Sequence, residues 1–489
     1  MRAGSAVLLT ALVGLGAGCG AHAPPRPAPR VDAAAATPCA DFELDVERFW
    51  STSAKAEVRA GILKTGGAID TVTVERVVTK MDAVSRDWVM MQEAVCKDTV
   101  VRKVMPAEVY NKVSMCLRAA LVSQRTLVEM MRTPTRDMVY KADDALARLR
   151  QDTGACQKDA VYDTYARETD DRDTATAREA LGQAHAYALL ADRKRLGQRL
   201  DEGIAAARRG RAARVLVDLL VEDSARWTRD EVDLEKAKVR ASEARDAAEK
   251  DRYEAGVAAA YHALGLAEDA AGRYAESLRY FMLALGIRER VLGKDHTETA
   301  RTYQGIGAAH VDDMSYDAAI EWFERARAIR ERGGDNPDVA HTYNTLGNAH
   351  LHRDRPGDQD EAIRWYRRAL DVKEKVYGKD HPTTAVTLNN LGGAYQNKGK
   401  YDDALALHER ALDVFGRTLG EDHPNVAATM NNLALVLVRK GDHAAAMRWY
   451  RRAEAMMVKR LGGTHPTTLQ LRENIDALCK KQPEVCQKR

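Results

Sequence analysis

Along the last 230 or so residues the apolar positions recur in one fixed arrangement. A first segment carries a large aliphatic residue followed by a small one: Leu264-Gly265, Ile306-Gly307, Leu346-Gly347, Leu391-Gly392 and Leu433-Ala434. A second carries Ala284, Ala326, Ala369, Ala411 or Ala453, each three residues after Phe281, Phe323, Tyr366, His408 or Tyr450. Residues i and i+3 share a helical face, so each pair sets a knob beside a hole and predicts two antiparallel helices per unit. Turns such as Asn397-Lys398-Gly399-Lys400-Tyr401 and Arg439-Lys440-Gly441-Asp442 separate the helices, glycine supplying the left-handed cap. Asp380-His381-Pro382, Asp422-His423-Pro424 and Thr464-His465-Pro466 place their histidines 42 residues apart, with weaker copies at Asp295-His296-Thr297 and Asp335-Asn336-Pro337. A period of that length means stacked supersecondary units that cannot bury their apolar faces singly. The fold class expected is all-α: a helical-hairpin repeat solenoid preceded by a small helical bundle.

The motifs Thr-Leu-Asn-Asn-Leu-Gly at 387–392, Tyr401 with Ala404, Arg410-Ala411-Leu412 and Leu419-Gly420-Glu421-Asp422-His423-Pro424 resemble the tetratricopeptide repeat in its 42-residue kinesin-light-chain form. The resemblance covers about 259–476 and implies a solenoid that binds partners, without saying which. Repeats are expected over 251–478, with degenerate copies over 175–250. The unit after Leu346 has three extra residues, spent in Arg353-Asp354-Arg355-Pro356-Gly357, which are expected in a loop.

Residues 39–165 are helical and non-repetitive. Val77, Met81, Val84, Trp88, Met91 and Val95 form an apolar stripe at spacings of 4, 3, 4, 3 and 4, and Val109, Val113, Cys116 and Ala120 form its counterpart. Trp88, Glu93-Ala94-Val95-Cys96, Met115-Cys116-Leu117-Arg118 and Gly154-Ala155-Cys156 resemble the extracytoplasmic region of bacterial repeat-containing Ser/Thr protein kinases. The kinase motifs themselves are absent from the sequence, so this likeness implies sensing or partner binding without phosphoryl transfer.

At the amino terminus, Met1-Arg2 and the apolar run Ala6 to Leu15 predict a signal peptide over 1–18, too short to span a bilayer. Gly16-Ala17-Gly18-Cys19 is similar to a bacterial lipobox and implies lipidation at Cys19; an ordinary cleaved signal is the other reading. Residues 19–38, rich in proline and alanine, are expected to form a tether. The address this implies is the bacterial cell envelope, as an outer-membrane lipoprotein. Export suits the even number of remaining cysteines, Cys39, Cys96, Cys116, Cys156, Cys479 and Cys486. Cys96 and Cys116 lie ten residues either side of Pro106, so a helical hairpin is expected to pair them. Cys479 and Cys486 are expected to close a loop in the tail 479–489, leaving Cys39 and Cys156. Zinc-ligand spacings do not accompany these cysteines.

With 75 basic and 72 acidic residues and a net charge of +3, the chain offers no nucleic-acid surface. No nucleophile–base constellation or phosphate loop is found, so neither catalysis nor a metal or other cofactor is expected. The Asp-His-Pro triplets read as helix starts, and Tyr280, Trp322, Trp365 and Trp449 as packing. Two residues before each Leu-Gly pair stand His262, Gln304, Asn344, Asn389 and Asn431, with Glu473 in the closing helix. The family resemblance implies that this position faces the concave groove, with Asn348, Gln396, Asn397 and Arg439 one or two turns along. A ladder of amides able to donate and accept suits the backbone of an extended peptide; the other reading is that these side chains tie neighbouring repeats together or face water. The function expected is a non-catalytic protein-interaction scaffold reaching the membrane only through its anchor. The alternative is a sensor or regulatory subunit of an envelope signalling pathway.

Overall fold

The structure, a computed structural model, describes residue 39 and residues 41–66, 69–156, 171–229 and 232–487. Among these, every regular element is helical. The bundle comprises α1 (Phe42–Glu47), α2 (Thr52–Lys64), α3 (Thr71–Cys96), α4 (Ala107–Met131) and α5 (Arg136–Ala155). Ser51, Asp70 and Thr135 start α2, α3 and α5 by accepting the backbone N–H three residues on, satisfying donors a helix start leaves orphaned. Val58, Ile62, Val77, Val113, Leu117, Leu127 and Met131 are completely buried between them. This core does not stop at the bundle. It runs on through α6 (Arg172–Leu189), α7 (Arg193–Arg209), α8 (Ala213–Arg229) and α9 (Leu234–Lys250) as far as Ala260.

The clear repeats follow as helix pairs: α10 (Glu254–Ala270) with α11 (Tyr274–Val291), α12 (Thr297–Asp312) with α13 (Tyr316–Arg330), α14 (Pro337–Arg353) with α15 (Asp358–Tyr377), α16 (Pro382–Asn397) with α17 (Tyr401–Leu419), and α18 (Pro424–Lys440) with α19 (His443–Leu461). The knob-and-hole pattern is literal. A Cβ added at Gly307 would lie 2.4 Å from Phe323, and one at Gly392 would lie 2.7 Å from His408, so only glycine lets these helices approach. The histidines of the repeated triplet also do more than precede a proline. In His296, His381, His423 and His465 the ring Nδ1 accepts the backbone N–H two residues on and caps the helix, a task Asn336 performs for α14. The three extra residues lie in the loop between α14 and α15, where Asp354 and Gly357 take positive φ values of 52° and 91°.

The expected boundary at 478/479 falls inside a helix. α20 (Pro466–Lys481) continues past it, and the tail folds back as α21 (Pro483–Gln487) with Cys479 bonded to Cys486. The remaining pairing differs from the hairpin expectation: Cys39 joins Cys96 and Cys116 joins Cys156. The reason is register. Gln92 Nε2 donates to Ser114 Oγ at 3.3 Å and the Trp88 indole to the Leu117 carbonyl at 2.6 Å. Cys96, one turn beyond Gln92, is therefore level with the neighbourhood of Tyr110, and Cys116 lies about six residues, roughly 9 Å, further along α4. The symmetrical count about Pro106 assumed continuous α-helix on both sides, whereas a π turn, Lys97–Val101, follows Cys96.

Candidate peptide groove

The side chains two residues before each Leu-Gly pair fall on one row across the first helices of successive repeats, and Gln304, Asn344, Asn389 and Asn431 each have a fixed partner in the next repeat. Gln304 Nε2 donates to Thr345 Oγ1 at 3.1 Å. Asn390 Nδ2 donates to Asn344 Oδ1 at 3.2 Å, Asn432 Nδ2 to Asn389 Oδ1 at 3.3 Å, and Asn474 Nδ2 to Asn431 Oδ1 at 2.9 Å. The row is thus a stitched ladder, every bond crossing a repeat boundary. Asn389 Oδ1 also accepts from His408 Nδ1 at 2.6 Å. Burial pushes the His408 ring down to about 4, so it is neutral at pH 7.

The ladder stops at its first position for a simple reason. His262 would pair with the residue at 305, which is a glycine; the imidazole packs instead on Phe281 with ring centres 5.1 Å apart, and its Nδ1 is buried without a hydrogen bond. Burial, reinforced by Arg288 and Arg301, holds its pKa well below the ordinary value. At the far end Glu473 is exposed and, among the described residues, accepts only from Gln470 on its own helix. Asn348 accepts from the Tyr366 hydroxyl at 2.7 Å. Gln396 is half-buried, while Asn397 and Arg439 are exposed at the ends of α16 and α18.

In the ladder asparagines the carbonyl oxygen is consumed and the NH2 is not. No hydrogen bond involves the Nδ2 of Asn344, Asn389 or Asn431 among the described residues, and all three side chains are half-buried. The partners Thr345, Asn390, Asn432 and Asn474 were missed in the sequence. The signal was present, since Asn390 and Asn432 directly follow the ladder asparagines in the repeated Asn-Asn-Leu.

A second set of groups lies near the carboxy-terminal ends of the second helices. Arg288, Arg330 and Lys373 occupy the same position of α11, α13 and α15, where α17 and α19 have Phe415 and Met457. Arg288 meets the Glu298 carboxylate at 2.9 Å. Burial alone would raise Glu298, but Arg288, Arg301 and Arg148 hold it at about 2. Arg330 bonds to the neutral oxygens of Gln304, Thr342 and Asp338, and Lys373 to the Thr383 carbonyl at 3.3 Å, burial lowering it to about 8. Beside them His341 is exposed at its surface, and desolvation by the surrounding protein, with Arg330 and Lys373, lowers it to about 4. Among the described residues no group of three or more His, Cys, Asp or Glu side chains could hold a metal ion.

Residues 256–332, 355–398 and 383–459 match the family model of the tetratricopeptide repeat. Among curated proteins, the clustered mitochondria protein homologue of Coccidioides immitis is 29% identical over 109 residues, 22% of this chain and 8% of that protein. That of Aspergillus niger is 28% identical over the same length. The aligned stretch is thus a small part of those proteins. Among solved structures, BtubC (BKLC) from P. vanneervenii is 23% identical with a TM-score of 0.42, covering 48% of this chain and 94% of that one. A putative kinesin light chain repeat protein from Podosopora anserina is 20% identical with a TM-score of 0.37, covering 41% and 93%. The family-model match shows tetratricopeptide repeats, which the structure stacks as a solenoid of helical hairpins. The curated relatives overturn the envelope address, being fungal clustered mitochondria protein homologues. The signal, Cys19 and the tether fall within residues 1–38, outside the described residues. The kinase likeness of the bundle finds no support either, since the family-model matches begin at residue 256.

Proposed function

We propose that this chain is a non-catalytic interaction scaffold that binds an extended segment of a partner protein along the asparagine ladder. One observation carries the reading: Asn344, Asn389 and Asn431 each spend their oxygen on the next repeat and keep an unpaired NH2. A row of donors held by its own acceptors is preorganised for carbonyl oxygens of a peptide backbone. Adjacent packed helices lie roughly 8–10 Å apart and an extended chain rises about 3.3 Å per residue, so one rung meets about every third ligand residue.

Two triple variants separate the donors from the stitching. Changing Asn390, Asn432 and Asn474 to alanine removes the stitches and leaves the unpaired donors; changing Asn344, Asn389 and Asn431 removes both. With peptides selected from a random extended-peptide library as the probe, the second set should weaken binding about a hundredfold, at about 1 kcal/mol per rung. The first set should weaken it far less at a similar loss of melting temperature. Equal affinities for the two variants would refute the groove assignment.

A further inference from the structure

The repeated triplet starts four helices with a histidine, and one of the four is unlike the rest. His296, His423 and His465 are half-exposed, whereas His381 is only 2% exposed. The cover comes from the amino-terminal bundle. His381 Nδ1 accepts the Thr383 N–H, so the neutral ring carries its proton on Nε2, which donates to the Tyr140 carbonyl of α5 at 2.8 Å. The residue before the glycine that precedes each of these four triplets is also special here: Leu292, Leu419 and Leu461 elsewhere, but Tyr377 at this corner. The Tyr377 ring stacks on His381 with centres 4.8 Å apart, and its hydroxyl donates to Asp144 of α5.

From α3, Lys80 donates to the Val376 carbonyl at 2.7 Å while also pairing with Asp143, which Arg76 holds from its other side. Further along α5, Arg148 approaches Glu298 of α12 at 4.0 Å. Descending α5 from Arg148 through Asp144 to Tyr140 therefore meets α12, then the end of α15, then the start of α16. Among the described residues, nine helices, α6 to α14, lie between α5 and the α15–α16 corner. Apart from it, each repeat of a solenoid touches chiefly its neighbours, and its curvature is the sum of small per-repeat rotations.

We propose that the Tyr377–His381 corner and the α3–α5 face form a clasp that fixes the curvature of the repeat array, and hence the opening of the groove, and that the clasp can release with both sides still folded. The significance for binding rests on the groove reading above; the existence of the clasp does not.

The test uses the full chain and no ligand, so its failure is distinct from failure of the groove. In the variant Y377F/H381N, phenylalanine retains the ring and asparagine retains the helix cap, as Asn336 does for α14, while both bonds to α5 are lost. Amide exchange over 136–150 and 376–386 should accelerate at least tenfold, the radius of gyration should rise, and helicity and exchange over 424–481 should stay unchanged. H381N alone should show the same changes to a smaller extent. Unchanged exchange over 136–150 would overturn the clasp, as would acceleration spread across all repeats with loss of helicity, which would make the corner a core element.

Discussion

His381 Nε2 donates to the backbone carbonyl of Tyr140 at 2.8 Å, across 241 residues of chain. The cap on α16 requires a neutral ring, because there Nδ1 acts as the acceptor of the Thr383 N–H, whereas the Nε2–H can donate to Tyr140 in either protonation state. Protonation turns that acceptor into a donor and breaks the cap.

A pH dependence follows. Burial lowers His381 from the ordinary 6.5 to about 4, with Asp143, Arg76 and Lys80 as the nearby charges. The native state therefore binds fewer protons than the unfolded chain, and the stability this group contributes is full above about pH 6.5 and lost as pH falls from there toward 4. The gap corresponds to at most about 3 kcal/mol. His341 and His408 act in the same direction, while Asp144, raised by burial, opposes them at lower pH. The drop in melting temperature between pH 7 and pH 5 should shrink in H381N and persist in part through the other histidines. An unchanged drop would contradict the burial assigned to this ring.

The disulfide pattern is checked by peptide mapping without reduction. The expected links are Cys39–Cys96, Cys116–Cys156 and Cys479–Cys486. A Cys96–Cys116 peptide would contradict the register between α3 and α4. Breaking the first two links, which close loops of 57 and 40 residues, should cost about 3 kcal/mol or more each, so reduction should lower the melting temperature of the bundle sharply.

Two glycines separate packing from helix propensity. Gly307→Ala drives a methyl into Phe323 and should destabilise by about 1–3 kcal/mol. At Gly286 in α11 a Cβ would meet nothing within 4 Å, so Gly286→Ala should stabilise by up to about 1 kcal/mol. Denaturant titration of both variants reads the difference, and equal signs would refute the close approach at Gly307.

The ladder predicts coupling between repeats. A double-mutant cycle on Asn389 and Asn432 should return an interaction energy of about 1 kcal/mol, and a cycle on Asn389 and Asn474, which do not touch, should return about zero. Additivity in the first cycle would mean that the 3.3 Å contact contributes nothing to stability.

The sequence by itself determined the repeats. Their signals are local: the small residue at Gly392 and the large one at His408 sit in one hairpin, and a period of 42 needs no knowledge of what lies far away in the chain. It also located the rung positions, because Asn344, Asn389 and Asn431 recur at a fixed offset from that local pattern. What each rung does was decided by tertiary structure, since the choice between stitching and facing water depends on whether residues 390, 432 and 474 come within hydrogen-bond reach across a boundary. The same holds for Cys96, where the sequence counts residues but an offset of about six in helix register selects the partner. It holds most of all for His381, which shares its motif with His423 and His465 and differs only because accumulated curvature brings Tyr140 against it. Periodicity encodes contacts between neighbours; a contact between residues 241 positions apart arises from the sum of small rotations, which no single stretch of sequence contains.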